Sequence, residues 1–100
     1  MDKGWVKLFR SLIDWEWYDD KNATRLLIHL LLIVNYKEKV WRGITIKAGT
    51  VVASWDTLSQ SCNLSVSECR TAMKKLVLSK EVTRYSTNKY QVITTLQSER

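Results

Sequence analysis

Ser54-Trp-Asp-Thr-Leu-Ser-Gln-Ser-Cys-Asn-Leu-Ser-Val-Ser-Glu-Cys-Arg-Thr-Ala-Met-Lys-Lys-Leu76 reads as two short helices joined by a tight turn. The second helix carries its own start signal, because Ser65 as N-cap and Glu68 three residues later can satisfy each other's free backbone N–H groups in a capping box. At about 100° per residue, Cys69, Ala72, Met73 and Leu76 fall into one apolar stripe. Ser67, Thr71 and Lys74 fall on the other side, with Arg70 and Lys75 at the borders. The preceding helix is capped by Ser54, places Asp56 where a negative charge suits the helix dipole, and turns Leu58 and Cys62 inward as an i, i+4 pair. Asn63 occupies the turn, as one of the few residues besides glycine that tolerate a left-handed backbone, and Leu64 is placed to plug the gap between the helices. The pattern is a helix-turn-helix.

The outward residues have the chemistry of a double-stranded DNA reader. Val66, Ser67, Thr71 and Lys74 are the candidates for base edges, with Val66 suited to a thymine methyl. Arg70, Lys75, Arg84 and Lys89 are the candidates for phosphates. The same pattern also describes a solvated charged face on a core helix.

After Leu76 the period changes from helical to alternating. Val82 to Ser86 and Lys89 to Leu96 are rich in Val, Ile, Thr and Tyr, and the polar run Ser86-Thr87-Asn88-Lys89 reads as the turn of a hairpin. Arg84 and Lys89 flank its tip, where a wing would touch the sugar-phosphate backbone. The pair Val92-Ile93 breaks strict alternation, so the inward face of the hairpin stays open at this point.

Upstream, Asp20 or Asn22 can cap a helix running to about Asn35, apolar nearly all round from Ala23 to Val34 and therefore central. An earlier helix is expected over Leu8 to Trp17, packing Leu8, Leu12 and Trp15 on the central one with Phe9 and Ile13 as further candidates for that side, after a short strand at Gly4 to Lys7. Trp41 to Ile46 and Thr50 to Ala53 read as strands around a Lys47-Ala48-Gly49 turn, with Gly49 at positive φ. The expected fold is mainly α with a small β-sheet: a winged helix-turn-helix with an N-terminal helical extension. It forms one domain, with residues 1–53 as the N-terminal body, 54–78 as the helix-turn-helix and 82–96 as the hairpin.

Composition bounds the alternatives. A chain of 100 residues, 45% of them hydrophobic, supports one core and not two. The net charge of +6 favours a polyanionic partner. Its distribution is sharper, since six basic residues and only Glu81 among acids lie between Arg70 and Lys89, while Asp2, Asp14, Glu16, Asp19 and Asp20 lie in the first twenty residues. Cys62 and Cys69 have no metal or redox spacing and read as buried thiols of a reducing, cytoplasmic compartment. His29 has no ligand partners at suitable spacing, and no cofactor, metal or catalytic constellation is expected. The apolar run Leu30 to Val34 is far too short to span a bilayer, so no membrane partner is expected. Five tryptophans serve packing in this reading, except that Trp17 and Tyr18, where the first helix ends, are candidates for a protein interface.

The runs Gly4-Trp-Val-Lys-Leu-Phe-Arg-Ser-Leu-Ile-Asp14, Leu30-Leu-Leu-Ile-Val-Asn35, Trp41-Arg-Gly-Ile-Thr-Ile-Lys-Ala-Gly49 and Ser86-Thr-Asn-Lys-Tyr90 with Ile93-Thr94 resemble the N-terminal domain of phage replisome organisers and related DnaD-type replication initiation proteins. The helix-turn-helix, in its Leu64-Ser65 turn and its Arg70, Ala72, Met73, Lys74, Lys75 and Leu76 pattern, also resembles that of GntR-type transcriptional regulators. The first resemblance implies a DNA-associated, non-enzymatic role in starting replication of a phage, plasmid or bacterial element, with origin DNA, further copies of the chain or replication-machinery proteins as partners. It also implies a second, helical domain after the hairpin, so a chain ending at Arg100 is expected to be either an excised domain or a stand-alone reader. Two positions depart from the family pattern. Lys80 stands where glycine is common, and either ends the helix without a left-handed turn or adopts one at a cost of about 1 kcal/mol. Val77-Leu78 replaces a polar pair, and Leu78 points outward, which makes it a further protein-interface candidate and supports the alternative of an oligomerisation module.

Overall fold

The computed structural model describes residues 4–96, which form three α-helices, a 3-10 helix and two small antiparallel sheets. The helices are α1 (Lys21–Ile33), α2 (Trp55–Cys62) and α3 (Val66–Leu78). A two-stranded sheet pairs β1 (Lys39–Trp41) with β2 (Ile44–Ile46). A three-stranded sheet has β5 (Gln91–Thr95) at its centre between β3 (Thr50–Ala53) and β4 (Val82–Ser86).

The helix starts follow their side-chain chemistry. Asp20 accepts from the Ala23 N–H at the start of α1, Ser54 from Thr57 N–H at α2, and Ser65 from Glu68 N–H at α3, where the Glu68 carboxylate returns the contact to Ser65 N–H and closes the capping box. The ends of α2 and α3 share one device. Asn63 turns left-handed at φ 59°, and Leu64 N–H reaches back to the Ser59 carbonyl. Lys80 does the same at φ 63°, with Glu81 N–H on the Leu76 carbonyl and Lys80 N–H on Val77. Lys80 therefore accepts the left-handed conformation, and the two backbone bonds that satisfy the last carbonyls of α3 offset its cost.

One core joins the helices to the sheet. Leu26, Leu27, Leu30 and Leu31 of α1 meet Leu58 and Cys62 of α2, Cys69, Ala72, Met73 and Leu76 of α3, and Val82 and Ile93 of the larger sheet. Leu64 packs against this cluster from the turn. α1 buries one face only, leaving Leu32 and Ile33 exposed, which corrects the expectation of a helix enclosed all round. Leu30 and Leu31 of its last turn stay in the core, and Arg25 Nε ties its first half to the Cys62 carbonyl at the end of α2.

The N-terminal body differs most from expectation. Gly4 to Lys7 is irregular, and Leu8 to Trp17 forms a 3-10 helix at Arg10–Asp14 followed by turns. The tighter winding stacks residues three apart, so Leu12 and Trp15 share the side that packs on the core while Leu8 and Ile13 stay exposed. Trp15 Nε1 donates to Ser79 Oγ, fastening this segment to the end of α3. Trp5 is exposed and takes no part in packing expected of it.

The expected strand Trp41 to Ile46 is broken at Arg42-Gly43, both at positive φ, the two-residue turn whose twist matches a hairpin. Gly49 has the predicted positive φ, yet the strand after it leaves β2 and pairs with β5, in register Val51 to Ile93. This arrangement explains the break in alternation. The face carrying Ile93 packs on the helices, and the face carrying Val92 lies beside Ile44 and Ile46 of the small hairpin, so both faces of β5 are covered. Trp41 caps the contact edge-on to Tyr90 at 5.3 Å.

An ion pair between Lys75 and Asp20 ties α3 to the start of α1. The Lys75 hydrogen bond, aided by Ala23 N–H, holds the Asp20 carboxyl below its ordinary range. A carboxyl whose pKa is lower folded than unfolded stabilises fully above the unfolded value of about 3.9, and the effect is lost as pH falls through the folded value. Asp20→Asn keeps a capping side chain and removes the charge. Urea unfolding of this variant at pH 7 is expected to show a loss of roughly 0.5–1 kcal/mol, and the difference from wild type should shrink as pH falls through the lowered folded value of the carboxyl.

Candidate functional site

The outward face of α3 is assembled as the wheel predicts. Ser67, Arg70, Thr71 and Lys74 are exposed, Val66 is half-buried at the first turn, and Cys69, Ala72, Met73 and Leu76 are buried behind them. Glu68, the acidic residue on this helix, is spent on the cap, where the Ser65 N–H holds its carboxyl below the usual range. The exposed face is therefore hydroxyl and cation.

The two border cations part company. Arg70 lies over the Trp55 ring, its guanidinium carbon 5.0 Å from the centroid. Lys75 turns the other way, to Asp20 and to the ring of Trp17 at 4.9 Å. Its sequence position on the border allowed either wall, and the Asp20 carboxylate at the cap of α1 draws it away from Arg70.

A groove of about 380 Å³ runs between α3 and the edge strand β4, lined by Trp55, Arg70, Met73, Lys74, Val77, Leu78 and Arg84. Arg84 reaches into it from β4 and also lies over Trp55, at 5.2 Å, while its Nε donates to Oε1 of Gln91 at 2.7 Å. Gln91 is only 2% exposed, because it shares the inner face of β5 with Ile93 and Thr95. Lys89 is exposed at the hairpin tip, where Thr87 closes the turn by accepting from Tyr90 N–H and donating to the Tyr90 carbonyl. Helix and hairpin thus present cations on two sides of one groove.

The protein-interface candidates separate in the same way. Leu78 is 66% exposed on the groove rim and Tyr18 is 44% exposed, but Trp17 is half-buried beneath Lys75. The sequence pattern did not reveal Trp55 or Gln91 as members of the site. The available signals were the position of Trp55 at the first turn of α2 and the inward alternation of Gln91 with Ile93.

Other reactive groups lie apart from this surface. Burial pushes the Cys69 thiol up to about 11 and raises that of Cys62, which keeps both protonated and poorly nucleophilic near neutral pH. Burial, with the nearby Arg25 charge, lowers the His29 pKa and favours its neutral form. Among the described residues no three His, Cys, Asp or Glu side chains gather in a way that could hold a metal ion, and no helix is long and apolar enough to cross a membrane. No family model, curated protein or solved structure matched the chain.

Proposed function

We propose that the chain is a double-stranded DNA-binding module of the winged helix-turn-helix kind, with α2 and α3 as the helix pair and the β4–β5 hairpin as the wing. The observation that carries this reading is the shared exposure of Ser67, Thr71 and Lys74 on α3 beside a groove framed by Arg70 and Arg84. A helix about 10–12 Å across fits a major groove about 12 Å wide. With α3 laid in it, the Ser67 and Thr71 hydroxyls and the Lys74 ammonium meet base edges, and Val66 meets a thymine methyl. Arg70 and Arg84 meet phosphates, and Lys89 follows the backbone at the wing tip. Lys75, held by Asp20, is left out of the contact set. The biological setting, the start of replication in a phage, plasmid or bacterial element, rests on the resemblance to replisome organisers. A GntR-like regulator would use the same surface.

Salt dependence tests this reading. Binding of the full chain to duplex DNA is expected to weaken with ionic strength at a slope of about −0.9 for each neutralised phosphate, giving a slope near −3 for Arg70, Arg84 and Lys89 together. A slope near zero, or no binding at about 50 mM salt, discards it. The exposed Leu78 and Tyr18 favour a second reading, a protein-assembly module. Sedimentation that gives only monomer at high concentration removes self-association from that reading.

A further inference from the structure

We infer that Trp55 is a positioning residue, whose indole holds Arg70 of α3 and Arg84 of β4 together as one two-armed clamp for a DNA phosphate. The inference rests on the duplex-binding reading and adds to it the part that joins helix to wing. Both guanidinium carbons lie about 5 Å from the same ring centroid, so they are within about 10 Å of each other. Like charges this close repel, and the electron-rich indole attracts both and offsets part of that repulsion. Among the described residues no carboxylate pairs with either arginine, the ion pair present being Lys75–Asp20. Among the described residues the clamp therefore carries two positive charges without a carboxylate partner, and a DNA phosphate supplies the matching charge.

Arg84 is fixed twice, by the ring and by Gln91. The bond to Gln91 Oε1 engages Nε, and among the described residues the two terminal nitrogens have no hydrogen-bond partner, which leaves them for a phosphate in the forked geometry that guanidinium favours. Gln91 is itself immobilised by burial in the central strand. Trp55 is anchored at the capped first turn of α2. Three elements thus hold two arginine side chains that would otherwise be free rotors, and pre-ordering of this kind raises affinity without adding a contact.

The test is fluorescence anisotropy with a labelled 20-bp duplex at about 100 mM salt, using the full chain and its Trp55→Leu, Trp55→Phe, Arg70→Gln and Arg84→Gln variants and the double arginine variant, with circular dichroism on each. Trp55→Leu is expected to weaken binding about tenfold, while Trp55→Phe, which keeps a ring face, stays within about threefold of wild type. Each arginine substitution is expected to cost about tenfold and to lower the salt slope by about one. The double variant should lose less than the product of the two, because each arm depends on the other to hold one phosphate. The arginine cycle reads the coupling even if Trp55→Leu fails to fold. Independent arginine effects that multiply within about twofold overturn the clamp, as does wild-type affinity in a folded Trp55→Leu variant, and the duplex reading survives both. No duplex binding by the wild-type chain overturns both proposals together.

Discussion

Replacing Arg70, Lys74 and Arg84 together with alanine is expected to weaken binding to duplex DNA by about 1,000-fold at fixed salt, against about threefold or less for Lys75→Ala. The magnitude follows from three contacts at roughly 1–3 kcal/mol each, taken near the low end because their effects overlap, for a total of about 4 kcal/mol. The contrast matters more than the size. Lys75→Ala removes a charge from the same helix, but that charge is directed at Asp20 and Trp17, so its expected loss is in folding stability. A second control equalises charge: Lys37, Lys39 and Lys47 are exposed between α1 and β3, and their triple alanine variant removes three charges from a different region of the chain. Anisotropy titrations of the three proteins at one salt concentration decide the matter. Equal losses for the two triple variants would show that net charge, and not the α3 surface, governs binding, and the site assignment would fall.

The parts of this fold that were legible in the sequence are those fixed by short-range chemistry. Ser65 with Glu68, Ser54 at its cap and Gly49 at positive φ each depend on a few neighbouring residues, and each appears in the structure where the sequence places it, while the choice left between Asp20 and Asn22 falls to Asp20. The amphipathic face of α3 was equally legible, because its period is set by helix geometry. What could not be read locally depends on partners distant in the chain. Lys75 had a choice of two walls, and the residue that decides it, Asp20, lies fifty-five positions away. The pairing of β3 with β5, not with its neighbour β2, is likewise a long-range choice, and it makes β5 a central strand whose two covered faces no alternation rule anticipates. Trp55 reads as one more core aromatic until the fold brings Arg70 and Arg84 over its ring from two other elements. The N-terminal segment failed for a different reason, since Leu12 and Trp15, three apart, suit both an α-helical and a 3-10 spacing, and Leu8, four before Leu12, shares their face only in an α-helix, whereas the structure leaves it exposed.

Leu76→Ala is expected to be the most destabilising single change considered, at about 2–5 kcal/mol in urea unfolding. Leu76 has no exposed surface, and it lies in the same buried cluster as Leu26, Leu27 and Leu30 of α1 and Val82 and Ile93 of the sheet. Its loss removes the transfer energy of three carbon groups and leaves a void that surrounding helices can close only in part. Its backbone carbonyl also accepts the Glu81 N–H that turns the chain from α3 into β4, so a shift of this residue is transmitted to the start of the β4–β5 hairpin. For a domain of this size, total stability of about 5–15 kcal/mol makes such a loss a large fraction of the whole. Duplex binding supplies the second readout. Because ligand binding to the folded form alone stabilises it by mass action, saturating duplex DNA should restore part of the lost stability of Leu76→Ala, whereas the triple variant of the α3 surface should gain nothing. If duplex DNA stabilises neither protein, nor the wild type, the surface chemistry of α3 has been assigned to the wrong partner even though its packing stands.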